Sequence, residues 1–316
     1  MARVFVTRHV PTGGLDPLTA RGHDVVVRAD DNPMSHDDLV EAAASADALV
    51  CLLTDRIDDD VLAAGAGAHL RVVANVAVGY DNIDVSAATR RGIAVCNTPG
   101  VLDETTADLA FLLILAASRL ASESERDLRA GRWQGWGINQ YLGEDVHDTV
   151  LGLVGFGRIG RAVARRAQGF GMEVLHHSRA DTGAPGYTPT LAALLARADA
   201  VSVHVPLTDE SRDLIGPEEL AIMKPTAVLV NTSRGPVVDE EALAEALEAG
   251  TIFAAGLDVY RDEPRVSPRL LAAPRAVLLP HIGSATRATR TRMAQVACSG
   301  VCEVLDGVRP ANLVTG

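Results

Sequence analysis

The stretch that most constrains this chain is residues 150–179, VLGLVGFGRIGRAVARRAQGFGMEVLHHSR. It opens with an apolar run, 150–154, of the length and composition of a buried parallel strand. Gly155, Gly157 and Gly160 follow in G-x-G-x-x-G spacing; residues 161–170 then read as a helix and 172–177 as a second strand. That order is a βαβ unit. Each glycine has a physical reason: a tight turn, close backbone approach to a pyrophosphate, and close packing of helix on strand. The helix N-terminus adds unpaired N–H groups and the positive end of its dipole. Gly155, Phe156, Gly157, Arg158, Ile159 and Gly160 are therefore the expected phosphate-binding turn for a dinucleotide. A tight turn without a ligand is the alternative.

The end of the second strand bears on which dinucleotide. An NAD site places Asp or Glu about 20 residues after the glycines, on the ribose 2′-OH. Here His176, His177, Ser178 and Arg179 stand in that place. A carboxylate would repel a 2′-phosphate, whereas Ser178 and Arg179 can hydrogen-bond and neutralise it. NADP(H) is the expected cofactor. NAD(H) is the alternative, with Arg179 a solvated surface residue and Asp181 serving the ribose.

The remaining chain alternates strand and helix on both sides of this unit. Strands are expected at 3–7, 24–28, 48–53, 71–76 and 93–97, with Ser35 capping a helix that includes 39–44. A long helix at 102–118 marks the crossing to a second domain, where strands recur at 200–205, 227–231, 253–259 and 276–279. Both halves are doubly wound α/β layers with parallel sheets. The turn after the first strand, HVPTGG, lacks the phosphate-binding glycines, so the first layer is expected to hold the substrate. A final helix, reaching residue 305, is expected to cross back onto it. The domains are thus 1–100 with 285–316, and 101–284. Residues 119–148 are polar yet carry Trp133, Trp136 and Tyr141; they read as an arm embracing a second subunit, or as a loop over their own domain.

Composition narrows the function classes. Forty-one acidic against 29 basic residues give a net charge of −12, which disfavours binding to nucleic acid. No apolar run approaches the roughly 20 residues that span a bilayer. The four cysteines have no metal-ligand spacing, no metal is expected, and a reduced cytoplasmic setting fits them.

Ligands in open α/β sheets bind beyond the carboxyl ends of strands. Arg234, Glu263 and His281 each follow such an end. An Arg, a carboxylate and a His near a nicotinamide suffice for reversible hydride transfer. Arg234 would bind the substrate carboxylate bidentately and polarise the carbonyl. His281 would supply the proton, and Glu263 would orient it and raise its pKa. Asp258 is read either as a cofactor contact or as a helix cap. Taken singly, Arg234 also reads as a surface turn residue, Glu263 as solvated, and His281 as bonded to a backbone carbonyl.

With those residues in view, the chain resembles the D-isomer-specific 2-hydroxyacid dehydrogenase family, most closely its glyoxylate/hydroxypyruvate reductase branch. The resemblance spans nearly the whole length: NVAVGYDNIDV (75–85), NTPGVLDETTADLAF (97–111), GLVGFGRIGRAVARRAQGFGM (152–172), HVPLT (204–208), NTSRGPVVDEEAL (231–243), GLDVY (256–260), DEP (262–264) and PHIGSAT (280–286). It implies a Rossmann cofactor domain inserted in a flavodoxin-like substrate domain, with Arg234, Glu263 and His281 catalytic. It implies further that backbone N–H groups around Val78 and Gly79 bind the substrate carboxylate, and that Thr106, His204, Pro206, Thr232, Asp258 and Gly283 line the cofactor. A homodimer through the cofactor domains is also implied. Ser178 and Arg179 are similar to NADP-preferring members. Val78 and Leu53, if they face the substrate, suit a small acid, so the expected reaction is D-specific, NADPH-dependent reduction of glyoxylate or hydroxypyruvate. Action on 3-phosphoglycerate or phosphite, or a dinucleotide-sensing corepressor role, are the alternatives.

Overall fold

The computed structural model describes residues 1–181 and 183–314; residues 182, 315 and 316 lie outside them, the last two at the end of the expected 285–316 segment. The chain divides into two compact units, Met1–Leu102 with Ser284–Gly316, and Asp103–Gly283. In the first, β1 (Arg3–Val6), α1 (Asp16–Ala20), β2 (Asp24–Val27), α2 (His36–Ala44), β3 (Ala48–Cys51), α3 (Asp59–Ala66), β4 (Val72–Asn75), α4 (Val85–Arg90) and β5 (Ala94–Cys96) alternate. The strands are all parallel, in the order β2-β1-β3-β4-β5. That is the flavodoxin-like order. Short polar side chains start the helices: Ser35 accepts the Asp38 N–H, Asp58 that of Val61 and Asp84 that of Ala87. Each satisfies one of the donors a helix leaves orphaned. α1 has no such signal beyond Pro17 in its first turn, and the sequence reading missed it.

The second unit begins with α5 (Asp103–Ser118) and α6 (Ala121–Arg129), then continues through β6 (Val150–Val154), α7 (Arg158–Gln168), β7 (Glu173–His177), α8 (Leu191–Arg197), β8 (Ala200–Val203), α9 (Pro217–Ile222), β9 (Val228–Asn231), α10 (Glu240–Ala249), β10 (Ala254–Leu257), α11 (Pro268–Ala272) and β11 (Ala276–Leu278). Its parallel sheet runs β11-β10-β9-β8-β6-β7. Beyond β7, Tyr187 forms one further parallel bridge with His176, through His176 N to Gly186 O and Thr188 N to His176 O, both 2.8 Å. Counted as a reduced strand, it gives the 3-2-1-4-5-6 order of a dinucleotide-binding sheet, with β11 added at the far edge. Strands β6, β8, β9 and β10 are buried along almost their whole length, as near-continuous apolar runs require when helices cover both faces.

After β11 the chain returns to the first unit as α12 (Arg287–Leu305). Met293, Ala294, Ala297, Cys298 and Val301 of α12 share a core with Val4, Val6, Val72 and Ala74. Both sheets are thus doubly wound, as the sequence implies. The stretch 119–148 is not wholly irregular: α6 occupies its first third, and the two tryptophans beyond it face outward, Trp133 at 49% and Trp136 at 80% exposure. Among the described residues no single helix is long and apolar enough to cross a membrane.

Candidate active site

The glycine turn after β6 is shaped by contacts that no side chain tolerates. Gly155 adopts φ +97°, and a Cβ there would meet His204 O at 2.7 Å. At Gly160 a Cβ would lie 2.3 Å from Gly155 O. Gly157 caps α7 and has nothing within 4 Å in front of it. So two glycines close the turn and the third opens it to a ligand. α7 starts at Arg158 rather than at residue 161, which places Gly160 inside its first turns. The low helix propensity of glycine hid that start from the sequence reading.

Side chains around the turn divide between ligand face and fold. The Phe156 ring stacks on His176 with centroids 3.8 Å apart, and Arg161 lies 4.6 Å over it. Ile159 packs into the apolar cluster beneath. His176 is fully buried beneath the Phe156 ring. Arg158 is solvent-facing and pairs with Asp103 at 3.3 Å. Past β7, the Ser178 hydroxyl donates to Ala180 O at 2.8 Å, and Arg179 is exposed, with its charge acting on Glu210. Asp181, the alternative ribose ligand, is engaged in a turn: its Oδ1 accepts the Gly183 N–H at 2.8 Å.

Further groups converge on the same edge of the sheet. Thr232 follows β9 with its hydroxyl buried and unpartnered. Thr106, buried in the first turn of α5, donates to Gly283 O at 3.4 Å. His204 follows β8 and shares a hydrogen bond of 2.9 Å with Ser202, and burial pulls its pKa down to about 4. Pro206 is exposed, its carbonyl accepting the Ser211 hydroxyl at 2.7 Å. Open space at Gly157 and an unpaired hydroxyl at Thr232 fit a polar ligand with phosphates. The protein supplies these groups ready-made.

Arg234, Glu263 and His281 lie in loops after β9, β10 and β11. Asn231, at the end of β9, shapes the first loop: its Nδ2 donates to Arg234 O and its Oδ1 accepts Ser233 N–H and O–H, all within 3.0 Å. Gly235 then lies against the second loop so closely that a Cβ would sit 1.9 Å from the Tyr260 carbonyl carbon. Glu263 Oε1 accepts the Tyr260 N–H at 2.9 Å, and Oε2 meets His281 Nδ1 at 2.7 Å. Some 26% of the His281 side chain and 28% of Glu263 remain open to solvent. Desolvation pushes the Glu263 carboxyl up, but the hydrogen bond and charge of His281, the Tyr260 N–H and the Arg234 charge outweigh it. The carboxyl therefore titrates below its ordinary value.

His281 itself sits at φ +54°, a left-handed conformation that costs a non-glycine residue about 1 kcal/mol or more. Asp258 holds it there. Its two carboxylate oxygens accept the Ile282 and Gly283 N–H groups at 2.7 and 2.8 Å, and the residue is 1% exposed. The helix-cap reading of Asp258 is therefore wrong, since α11 starts after Ser267. Sequence reasoning also missed Asn231 and Tyr260. A polar residue closing an apolar strand was the available signal for Asn231.

In the first unit, Leu53 follows β3 and is 36% exposed. Val78 and Gly79 follow β4, where Asn97 Nδ2 donates to Val78 O at 2.8 Å and Asn75 Nδ2 to Gly79 O at 2.9 Å.

Comparison with known proteins fits this geometry. Residues 111–283 match the family description "D-isomer specific 2-hydroxyacid dehydrogenase, NAD binding domain". The chain is 48% identical to a glyoxylate reductase of Korarchaeum cryptofilum, over 99% of this chain and 95% of that one. A crystal structure of the TT0316 protein of Thermus thermophilus superposes with a TM-score of 0.92 at 45% identity, covering 99% and 100% of the two chains. An NADPH-dependent glyoxylate/hydroxypyruvate reductase of Sinorhizobium meliloti, solved with NADP and malonate, superposes at 0.83 with 34% identity over 99% and 96%. The chain belongs to the D-isomer-specific 2-hydroxyacid dehydrogenase family, in its glyoxylate reductase branch, and is an NAD(P)-dependent oxidoreductase that reduces 2-oxo acids.

Proposed function

We propose that the chain reduces glyoxylate and hydroxypyruvate to the D-2-hydroxy acids with NADPH as the preferred cofactor. The observation that carries this reading is the His281–Glu263 pair. Its 2.7 Å contact engages Nδ1, which leaves Nε2 to face a substrate carbonyl. The bound nicotinamide supplies the hydride. His281 gives its proton to the carbonyl oxygen, and Glu263 keeps the ring oriented and stabilises its positive form. Arg234 binds the substrate carboxylate and polarises the carbonyl, with Val78 and Gly79 offering backbone N–H groups and Leu53 an apolar wall. Gly155–Gly160, Thr106, His204, Pro206, Thr232 and Gly283 are assigned to the cofactor. Asp258 acts by fastening the loop that carries His281.

Support for NADPH comes from the exposed Arg179 beside Ser178, with the carboxylate of Asp181 turned to Gly183. A reducing, cytoplasmic setting belongs to this reading, because all four cysteines are free and buried. So does a homodimer formed through residues 119–148.

The test is turnover of glyoxylate, hydroxypyruvate, pyruvate and phenylpyruvate with NADPH and NADH in parallel, repeated on Arg179→Ala. Rapid NADPH oxidation with the two small acids is expected. Loss of one charge-assisted contact to phosphate weakens binding about 10- to 100-fold, so Arg179→Ala should lose NADPH affinity by that factor and NADH affinity hardly at all. Equal losses for both cofactors would remove the 2′-phosphate argument. Turnover confined to phenylpyruvate would overturn the substrate.

A further inference from the structure

A buried amide network in the first unit has no part in the chemistry above. Asn75 closes β4 with no exposed surface, and an amide in that position is costly unless its groups are paired. They are. Its Nδ2 donates to Gly79 O and to Asn82 Oδ1, both at 2.9 Å, while its Oδ1 accepts the Cys51 thiol at 3.6 Å. Burial pushes the Cys51 thiol far above its ordinary range, so it stays a donor and fixes which way the Asn75 amide points. Asn82 Nδ2 donates onward to Leu52 O at 3.1 Å and Asp55 O at 2.9 Å. Asn97 reaches Val78 O, and is itself held by Asn312, whose Nδ2 donates to Asn97 O at 2.7 Å.

Three successive carbonyls are thereby tied to the body of the unit: Ala77 O by the Thr98 N–H at 2.9 Å, Val78 O by Asn97 and Gly79 O by Asn75. In a trans peptide the C=O and the following N–H point in opposite directions. The N–H groups of Val78, Gly79 and Tyr80 are therefore turned away from those donors. Among the described residues none of the three has a protein acceptor. Successive outward N–H groups form a concave receptor for an anion.

We infer that Asn75, with Asn82 and Asn97, is a positioning device that preforms Val78–Gly79–Tyr80 as a carboxylate receptor and locks the Leu52–Asp55 turn, hence Leu53, to the same frame. This rests on the proposed assignment of the substrate carboxylate to Val78 and Gly79. None of the asparagines touches the substrate; each sets the direction of a peptide that does. Tyr80 N–H joins the receptor as a third donor.

The experiment compares Asn75→Ala, Asn82→Ala and Asn97→Ser for glyoxylate turnover, NADPH affinity by fluorescence, and affinity for oxamate, an unreactive acid of similar size, in the NADPH-loaded enzyme. Misaligning donors to a charged group costs about 10- to 100-fold. KM for glyoxylate and Kd for oxamate should rise by that factor, with kcat and NADPH affinity nearly unchanged. Asn75 is fully buried, so Asn82→Ala, at a partly exposed site, decides the matter if Asn75→Ala does not fold. Folded variants with unchanged KM would overturn the inference, and so would a parallel fall of kcat and NADPH affinity. Gly79→Pro separates the two levels, because it deletes one N–H and leaves the amides alone. If it does not raise KM, the carboxylate assignment itself fails; if it raises KM while the asparagine variants do not, only the positioning role falls.

Discussion

Which ring nitrogen of His281 is engaged decides what the residue can do. With Nδ1 on Glu263 at 2.7 Å, the carboxylate stabilises whichever ring form carries positive charge. Glu263→Gln keeps the shape and removes that charge. Reduction needs a protonated ring, so the variant should lose about 100-fold in rate near neutrality, the usual worth of a positioned acid. Its NADPH affinity should stay intact. A variant that keeps the parent's rate would reduce Glu263 to a spacer. The sign for stability is separate. The Glu263 carboxyl is held below its ordinary value, so its contribution is present above the usual carboxylate range and lost as pH falls through the lowered value. The variant's stability should therefore fall less steeply in acid. Arg234, Glu263 and His281 were legible because each is a polar residue just past an apolar strand. Asn75 ends a strand in the same way, yet its purpose depends on Gly79 and Asn82, which only the folded loop brings to it. The helix-cap alternative for Asp258 failed for a similar reason: its partners lie 24 and 25 residues onward.

At the scale of elements, the β6–turn–α7–β7 unit could be read almost directly, since strand, glycines and helix obey separate local rules that agree. Its one misreading, the late start of α7, turns on Gly160. Two opposing effects meet there. Alanine favours a helix over glycine by about 1 kcal/mol, but a Cβ would press to 2.3 Å from Gly155 O, and overpacking costs about 1–3 kcal/mol. The contact is with backbone at the turn itself, so the second effect should win. Gly160→Ala is expected to lower the melting temperature by several degrees and to weaken NADPH binding as Gly155 is displaced. A melting temperature at or above the parent's, with NADPH affinity retained, would show that the turn is looser than its geometry implies. Elements that went unread lack local signals. α1 and α11 are five residues each, α6 is polar with no buried residue, and the third strand survives as one bridge at Tyr187. Tertiary pairing creates such pieces, and periodicity does not announce them.

For the whole molecule, the segment beyond α6 poses the question of assembly. It carries both tryptophans of a chain that is only 3% aromatic. Trp136 is 80% exposed, Ile138 71%, Leu142 63% and Trp133 49%, a concentration of apolar side chains that marks an interaction surface. Covering one large apolar side chain contributes about 1.5–3 kcal/mol, so four of them outweigh much of the entropy lost when two chains associate. A second copy of this chain is the occupant the proposed function assigns. Sedimentation at micromolar concentration should then give twice the mass of one chain, with tryptophan emission shifting to longer wavelength on dilution. Trp133→Ser with Trp136→Ser should sediment as a monomer while NADPH binding persists, because the glycine turn and the groups assigned to the cofactor lie outside this segment. A parent protein that remains monomeric at that concentration would remove the dimer, and a double variant that stays dimeric would place the interface elsewhere; either result returns this segment to solvent.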